Sequence, residues 1–286
     1  MIAKFPSYYN KFRCKADRCQ HSCCVGWEID VDEETMSKYR SEGREDILCH
    51  INGDSIELMD GDRCPFLRAD GLCRIISELG ESHTSLICRE HPRFYHRVGQ
   101  TLEGGIGAGC EAAAEIILSS DDYSDFISVA REGQAADETE LDTLSYRDEI
   151  YNILKMREKS FADRLDKIKD MHGVVDLHSD EEWNGIFGDL EYLYPEHREV
   201  IKVGGEMTAD DRYLERFFAY LVFRHLSIAT SVDNLRARLG FCILLTRILG
   251  SGASSFAEAS ELARIISEEI EYSVDNTDAL IFEFEI

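Results

Sequence analysis

Nine of the ten cysteines in this 286-residue chain lie within its first 110 residues, and eight of them form two runs: Cys14, Cys19, Cys23, Cys24, then Cys64, Cys73, Cys88, Cys110. Thiols so concentrated have three common explanations: a disulfide framework, metal ligation or redox catalysis. Residues 1–10 show no apolar h-region and no small-residue cleavage site, so no secretory signal is expected and the chain is placed in the reducing cytoplasm. In that compartment clustered thiols serve as ligands rather than cystines. Cys49 stands apart from the runs, and Cys242, within Phe241-Cys242-Ile243-Leu244-Leu245, reads as a small buried hydrophobe. The longest apolar stretch, Leu239 to Leu249, is interrupted by Arg247 and is shorter than the about 20 residues of a membrane span.

The expected fold class is mainly α, with an N-terminal irregular α+β cysteine-cluster module (1–120) packed on an acidic C-terminal helical domain (121–286). Residues 1–110 hold 14 Lys and Arg against 18 Asp and Glu, while the remainder holds 17 against 38. A net charge of −25 repels phosphate, so nucleic acid and anionic membrane are not expected partners, and a lysine-bearing protein is. In the first part Glu28 to Val31 and Ser55 to Leu58 alternate like strands, with Cys73 to Ile76 a candidate third. In the second, an apolar face through Tyr146, Ile150, Ile153, Leu154, Phe161, Leu165 and Ile168 predicts one long helix from Ser145 to Met171. Further helices are expected from Thr208 to Ile228, from Asp233 to Leu249 and from Ser255 to about Glu271. The alternating end, Ala279 to Ile286, predicts a strand or docked tail, and Ala136 to Glu140 an acidic turn.

Cys14-x4-Cys19-x3-Cys23-Cys24 places sulfurs closely enough for each to approach iron or zinc within about 2.3 Å. Side chains of adjacent residues diverge, so Cys23 and Cys24 face different centres, or one of them faces the core. Eight thiolates make two four-ligand centres, or one centre with spare positions. The first run departs from the Cys-x3-Cys-x2-Cys of radical enzymes, and the second run, Cys64 to Cys110, is spaced too widely for a zinc ribbon. An all-sulfur donor set favours iron–sulfur, with zinc as the alternative.

The strings Cys19-Gln20-His21-Ser22-Cys23-Cys24-Val25-Gly26-Trp27, Arg63-Cys64-Pro65-Phe66-Leu67, Asp70-Gly71-Leu72-Cys73-Arg74-Ile75, Leu79-Gly80-Glu81, Ile87-Cys88-Arg89-Glu90-His91-Pro92-Arg93-Phe94 and Gly109-Cys110-Glu111-Ala112-Ala113 resemble, in order, those of flagellin lysine-N-methylases. The resemblance covers roughly residues 10–118. It implies methyl transfer from S-adenosylmethionine to lysine ε-amines of flagellin by a protein carrying an iron–sulfur cluster, expected as 4Fe-4S. A protonated lysine has no lone pair, so such chemistry requires a neutral amine. His91 is the first candidate base and Glu103 the second, with a structural hydrogen bond as the other reading of His91. Arg89 and Arg93 are candidates to grip the donor's carboxylate, and Trp27 and Tyr95 to stack on its adenine or meet its sulfonium. The competing function is a non-catalytic zinc- or iron-binding protein acting as an interaction module or metal carrier.

Overall fold

The computed structural model describes residues 2–130 and 142–285. Its elements run β1 (Ile2–Pro6), α1 (Glu33–Ser41), α2 (Glu45–Leu48), β2 (Ile51–Asn52), β3 (Ser55–Ile56), α3 (Arg74–Leu79), α4 (Leu86–Glu90), β4 (Arg93–Val98), β5 (Thr101–Ile106), α5 (Glu111–Ser119) and β6 (Phe126–Ala130). Seven helices follow: α6 (Thr143–Leu154), α7 (Phe161–His172), α8 (Asp180–Asp189), α9 (Asp211–Leu226), α10 (Val232–Gly252), α11 (Phe256–Ile266) and α12 (Val274–Phe282). The protein is mainly α, as expected. The acidic turn expected at 136–140 lies outside the described residues.

The chain divides into two compact units, one of residues 1–12, 95–109 and 113–286, the other of residues 13–94 and 110–112. The division therefore does not fall at residue 120. The reason is the sheet, ordered β4-β5-β1-β6, in which β1 pairs in parallel with β5 and antiparallel with β6, for example Lys4 with Glu103 and Pro6 with Phe126. These pairings tie the first residues of the chain to the helical unit.

In the helical unit α9 and α10 are buried along most of their length, including Phe217, Phe218, Leu221 and Val222 on α9 and Phe241 to Leu245 on α10. Helices with such continuous burial form the centre of a core rather than its surface. The long helix expected from Ser145 to Met171 is two, α6 and α7, interrupted at residues 155–160. There the Ser160 side chain accepts the Asp163 amide and caps a new helix, so the single apolar face belongs to two rods. The α9 cap is Asp210 rather than Thr208, and that of α10 is Ser231 rather than Asp233. The α10 helix also runs past its expected end at Leu249, to Gly252. Ser255 caps α11 as expected, in a reciprocal box with Glu258. Of the expected strand or docked tail, residues 274–282 form α12, started where Ser273 accepts the Asn276 amide, and Phe284 beyond it stacks on Trp183.

The second unit has a small core of Ile29, Val31, Met36, Tyr39, Ile47, Ile56, Phe66 and Ile75, with Cys64 buried among them and Cys24 and Cys73 packed against it. Regular structure here is short. Glu28 to Val31 contributes one bridge, Asp30 to Ser55, and Cys73 to Ile76 is not a strand but the start of α3, with the Cys73 carbonyl accepting the Ser77 amide at 3.0 Å.

Candidate functional site

All eight cysteines of the two runs, and Cys49, belong to the smaller unit. Backbone pairing accounts for part of this. The Cys64 amide donates to the Cys24 carbonyl at 2.9 Å, and Leu67 forms an antiparallel bridge with Cys73. Residues far apart in sequence are thereby drawn to the same small core.

Burial is the main influence on most of these thiols. Burial pushes Cys64 up to about 12, opposed by the Phe66 amide and reinforced by repulsion from Cys24, Cys88 and Cys73. Cys88 is pushed up to about 11 by burial, with Cys24 and Cys73 adding to it. Cys73 is raised chiefly by burial, opposed by the Ile76 and Ile75 amides and supplemented by Cys24. Cys23 and Cys24 share a proton: the Cys23 thiol donates to Cys24, raising Cys23 and lowering Cys24. Beyond Cys24, the sulfurs that Cys23 feels are Cys110 and Cys14. Cys19 is pushed up to about 11, first by burial, with Glu111 and Cys110 contributing.

Glu111 is absent from the sequence-based candidates, and its place beside Cys110 is the only signal that could have found it. Its carboxylate accepts Lys15 Nζ at 2.5 Å, the Gln20 amide at 2.8 Å and the Cys19 thiol at 3.6 Å. The bonds to Lys15 and Gln20 hold its pKa below the usual carboxylate range against the effect of burial. Glu111 thus fastens the loop carrying Cys14 and Cys19 beside Cys110.

The thiols offer soft anionic donors suited to iron or zinc. Among the described residues no three cysteine sulfurs come within 4.8 Å of one another. One tetrahedral zinc would hold its sulfurs about 3.8 Å apart, given zinc–sulfur bonds of about 2.3 Å. In a polynuclear iron–sulfur cluster thiolates bind different irons, and their sulfurs stand farther apart.

Of the other candidates, His91, Arg89, Arg93 and Trp27 lie in the smaller unit, and Glu103 and Tyr95 in the helical one. Burial alone lowers His91 to about 4, so the ring is neutral at pH 7, and the Trp27 ring meets it edge-on at 5.9 Å. Arg89 donates to the Thr84 carbonyl, and Arg93 to the Arg89 carbonyl at 3.3 Å. The Tyr95 hydroxyl is 2.9 Å from that of Tyr9. Glu103 is fully buried, gripped at both oxygens by Arg147, at 2.6 and 2.7 Å, and by Ser227 at 2.6 Å. These bonds hold its carboxyl below the ordinary range although burial acts against them. Its geometry is that of a structural ion pair.

Gly104, Gly107 and Gly109 serve close packing. A Cβ at Gly104 would stand 2.6 Å from the Phe5 ring, and one at Gly107 would collide with the Tyr272 hydroxyl and Arg224. His197, Glu268 and Glu269 also gather, but their bonds are taken up internally: Glu269 receives the Leu193 and Tyr194 amides and His197, and Glu268 receives Arg264 at 2.7 Å. No described helix is long and apolar enough to cross a membrane.

Three curated proteins are similar to part of the chain. The lysine-N-methylases of Salmonella typhimurium and Salmonella choleraesuis are each 27% identical over 131 residues, covering 41% of this chain and 32% of theirs. The flagellar biosynthetic protein FliU of Salmonella muenchen is 27% identical over 131 residues, covering 41% of this chain and 77% of its own. The matched stretch thus spans about a third of the length of the two lysine-N-methylases. No family model and no solved structure matches.

Proposed function

We propose that this protein is a protein-lysine N-methyltransferase that uses S-adenosylmethionine, carries a cysteine-ligated iron–sulfur cluster and acts on flagellin. The observation that carries the reading is the similarity to the Salmonella lysine-N-methylases. It is supported by the collection of eight thiols in one small unit.

In this reading the thiolates of the smaller unit hold the cluster, which supplies an electron-rich metal centre and a coordination position for the donor. The chain's own residues bind and orient. Arg89 and Arg93, at the end of α4 and the start of β4, suit the donor's carboxylate, and Trp27 its sulfonium. His91, being neutral at pH 7, can accept a hydrogen bond from the substrate amine. As a base it is weak: with a pKa of about 4 it takes a proton from a fully solvated lysine, near 10.4, at a disadvantage of about a millionfold. The amine must therefore be neutralised mainly by loss of its water. The acidic balance of residues 111–286, 17 Lys and Arg against 38 Asp and Glu, favours approach of a lysine-rich surface.

The test is anaerobic reconstitution with iron and sulfide, followed by incubation with isotopically labelled donor and flagellin. Labelled methyl-lysine in the flagellin digest is the expected result. A metal-replete protein that neither binds donor nor labels flagellin overturns the reading in favour of a metal-binding interaction module.

A further inference from the structure

One carboxylate holds both ends of the loop that carries Cys14 and Cys19. Oε1 of Glu111 accepts Lys15 Nζ at 2.5 Å, and Oε2 accepts the Gln20 amide at 2.8 Å, the His21 amide at 3.4 Å and the Cys19 thiol at 3.6 Å. The Glu111 side chain is 15% exposed and that of Lys15 21%, so these charge-assisted bonds are largely shielded from water. Between the two ends the chain turns tightly through Ala16–Arg18, and Ala16 has a φ of 51°, in the left-handed region that alanine avoids. Such a conformation persists where its surroundings impose it. The turn also directs Cys14, whose sulfur lies 3.3 Å from the Ala16 amide. A second segment of the same unit meets the turn at Asp17: Gly71, two residues before Cys73, has a φ of 80°, and a Cβ there would stand 3.2 Å from the Asp17 Cα. The loop is thus held by the residue that follows Cys110 and backed by the turn that leads into Cys73.

We propose that Glu111 is a positioning residue of the metal site, which holds the Lys15 to Gln20 loop in the shape that presents Cys14 and Cys19 as ligands, against the loop's own preference at Ala16. The inference rests on the metal-binding part of the proposed function and is independent of methyl transfer. Glu111 acts through the loop and not by touching the metal. Groups that orient metal ligands in this way typically govern metal affinity by about 10–100-fold. Three substitutions grade the effect. Lys15→Met cuts the arm at Oε1 and leaves the Gln20 amide bound, Glu111→Gln keeps the shape but removes the charge that both arms use, and Glu111→Ala releases both.

The experiment reconstitutes the full chain anaerobically with iron and sulfide and measures the iron retained against a competing chelator, together with visible absorption and circular dichroism of the bound metal. Far-UV circular dichroism confirms folding, and Lys15→Met and the isosteric Glu111→Gln keep the test open should Glu111→Ala not fold. The expected result is that retention weakens by about 10–100-fold in Glu111→Ala, less in Glu111→Gln and least in Lys15→Met. The metal spectrum of Glu111→Ala should depart from that of the wild type in the same direction as that of Cys19→Ser, a signature that a general loss of stability would not produce. The proposal is overturned if the folded Glu111 variants retain iron as firmly as the wild type, if Cys19→Ser leaves retention and spectrum unchanged, or if the wild-type chain retains no iron. Equal retention in wild type and variants would strike this inference and leave the proposed function standing. Failure of flagellin methylation by a chain whose retention follows the graded series would strike the proposed activity and leave the role of Glu111 standing.

Discussion

At the scale of single residues, burial decides what each titratable group can do. Glu103 donates nothing to chemistry at a surface, because Arg147 and Ser227 take both of its oxygens in a fully enclosed site. Removing its charge strands a buried guanidinium, and Glu103→Gln is expected to cost about 3–5 kcal/mol of stability, read from the midpoint shift in urea. His96 carries a second expectation. Burial, with help from Arg224 and His225, lowers it to about 4 from the ordinary 6.5. Above pH 6.5 the ring is neutral in both folded and unfolded chains. As pH falls from 6.5 toward about 4 the unfolded chain takes up a proton that the folded one refuses, so stability declines across that window. Urea titrations between pH 7 and pH 4 should show this slope, and His96→Gln should flatten it. Further loss below about pH 4.5 belongs to carboxylates such as Glu271, which its neighbours Arg224 and His225 hold at about 2.

At the scale of elements, hydrophobic period was readable and interruptions were not. The apolar positions of α6 and α7 are buried as their spacing requires, yet the break at 155–160 has no Gly or Pro to announce it; only Ser160 marks the restart. Alternation from Ala279 onward imitates a strand, but local capping by Ser273 wins, leaving Leu280 and Ile281 buried and Phe282 69% exposed. The concentration of cysteines that falls in the smaller unit was legible because thiols are conspicuous in sequence. The contacts that hold them were not, since these include bridges such as Leu67 to Cys73 and the bonds of Glu111, an ordinary acidic residue by sequence. After β5, Gly107 lets Tyr272 and Arg224 lie close against the backbone. Gly107→Ala is therefore expected to destabilise by about 1–3 kcal/mol through overpacking. The loss should be partly recovered in a Tyr272→Phe background, which removes the hydroxyl nearest the added methyl. A double-mutant cycle in urea measures that coupling.

At the scale of the molecule, the two units draw on unequal stores of apolar burial. The helical unit encloses α9 and α10 and needs no inorganic support to account for its core. The smaller unit has eight buried apolar side chains beside Cys64, set among short helices and a two-residue hairpin. Cores of that size rarely hold a fold without disulfides or metal, and no disulfide joins the described cysteines. The desolvated thiols add to the difficulty, because burial and mutual repulsion raise Cys64 and Cys88 and oppose their ionisation until a cation offsets the charge. Metal removal should therefore act unevenly. After anaerobic chelation, amide hydrogen exchange is expected to rise sharply across residues 13–94, while α9 and α10 keep their protection and the helical circular dichroism falls only slightly. Equal protection of residues 13–94 with and without metal would show that the apolar core suffices, and that the thiols are kept for chemistry rather than for folding.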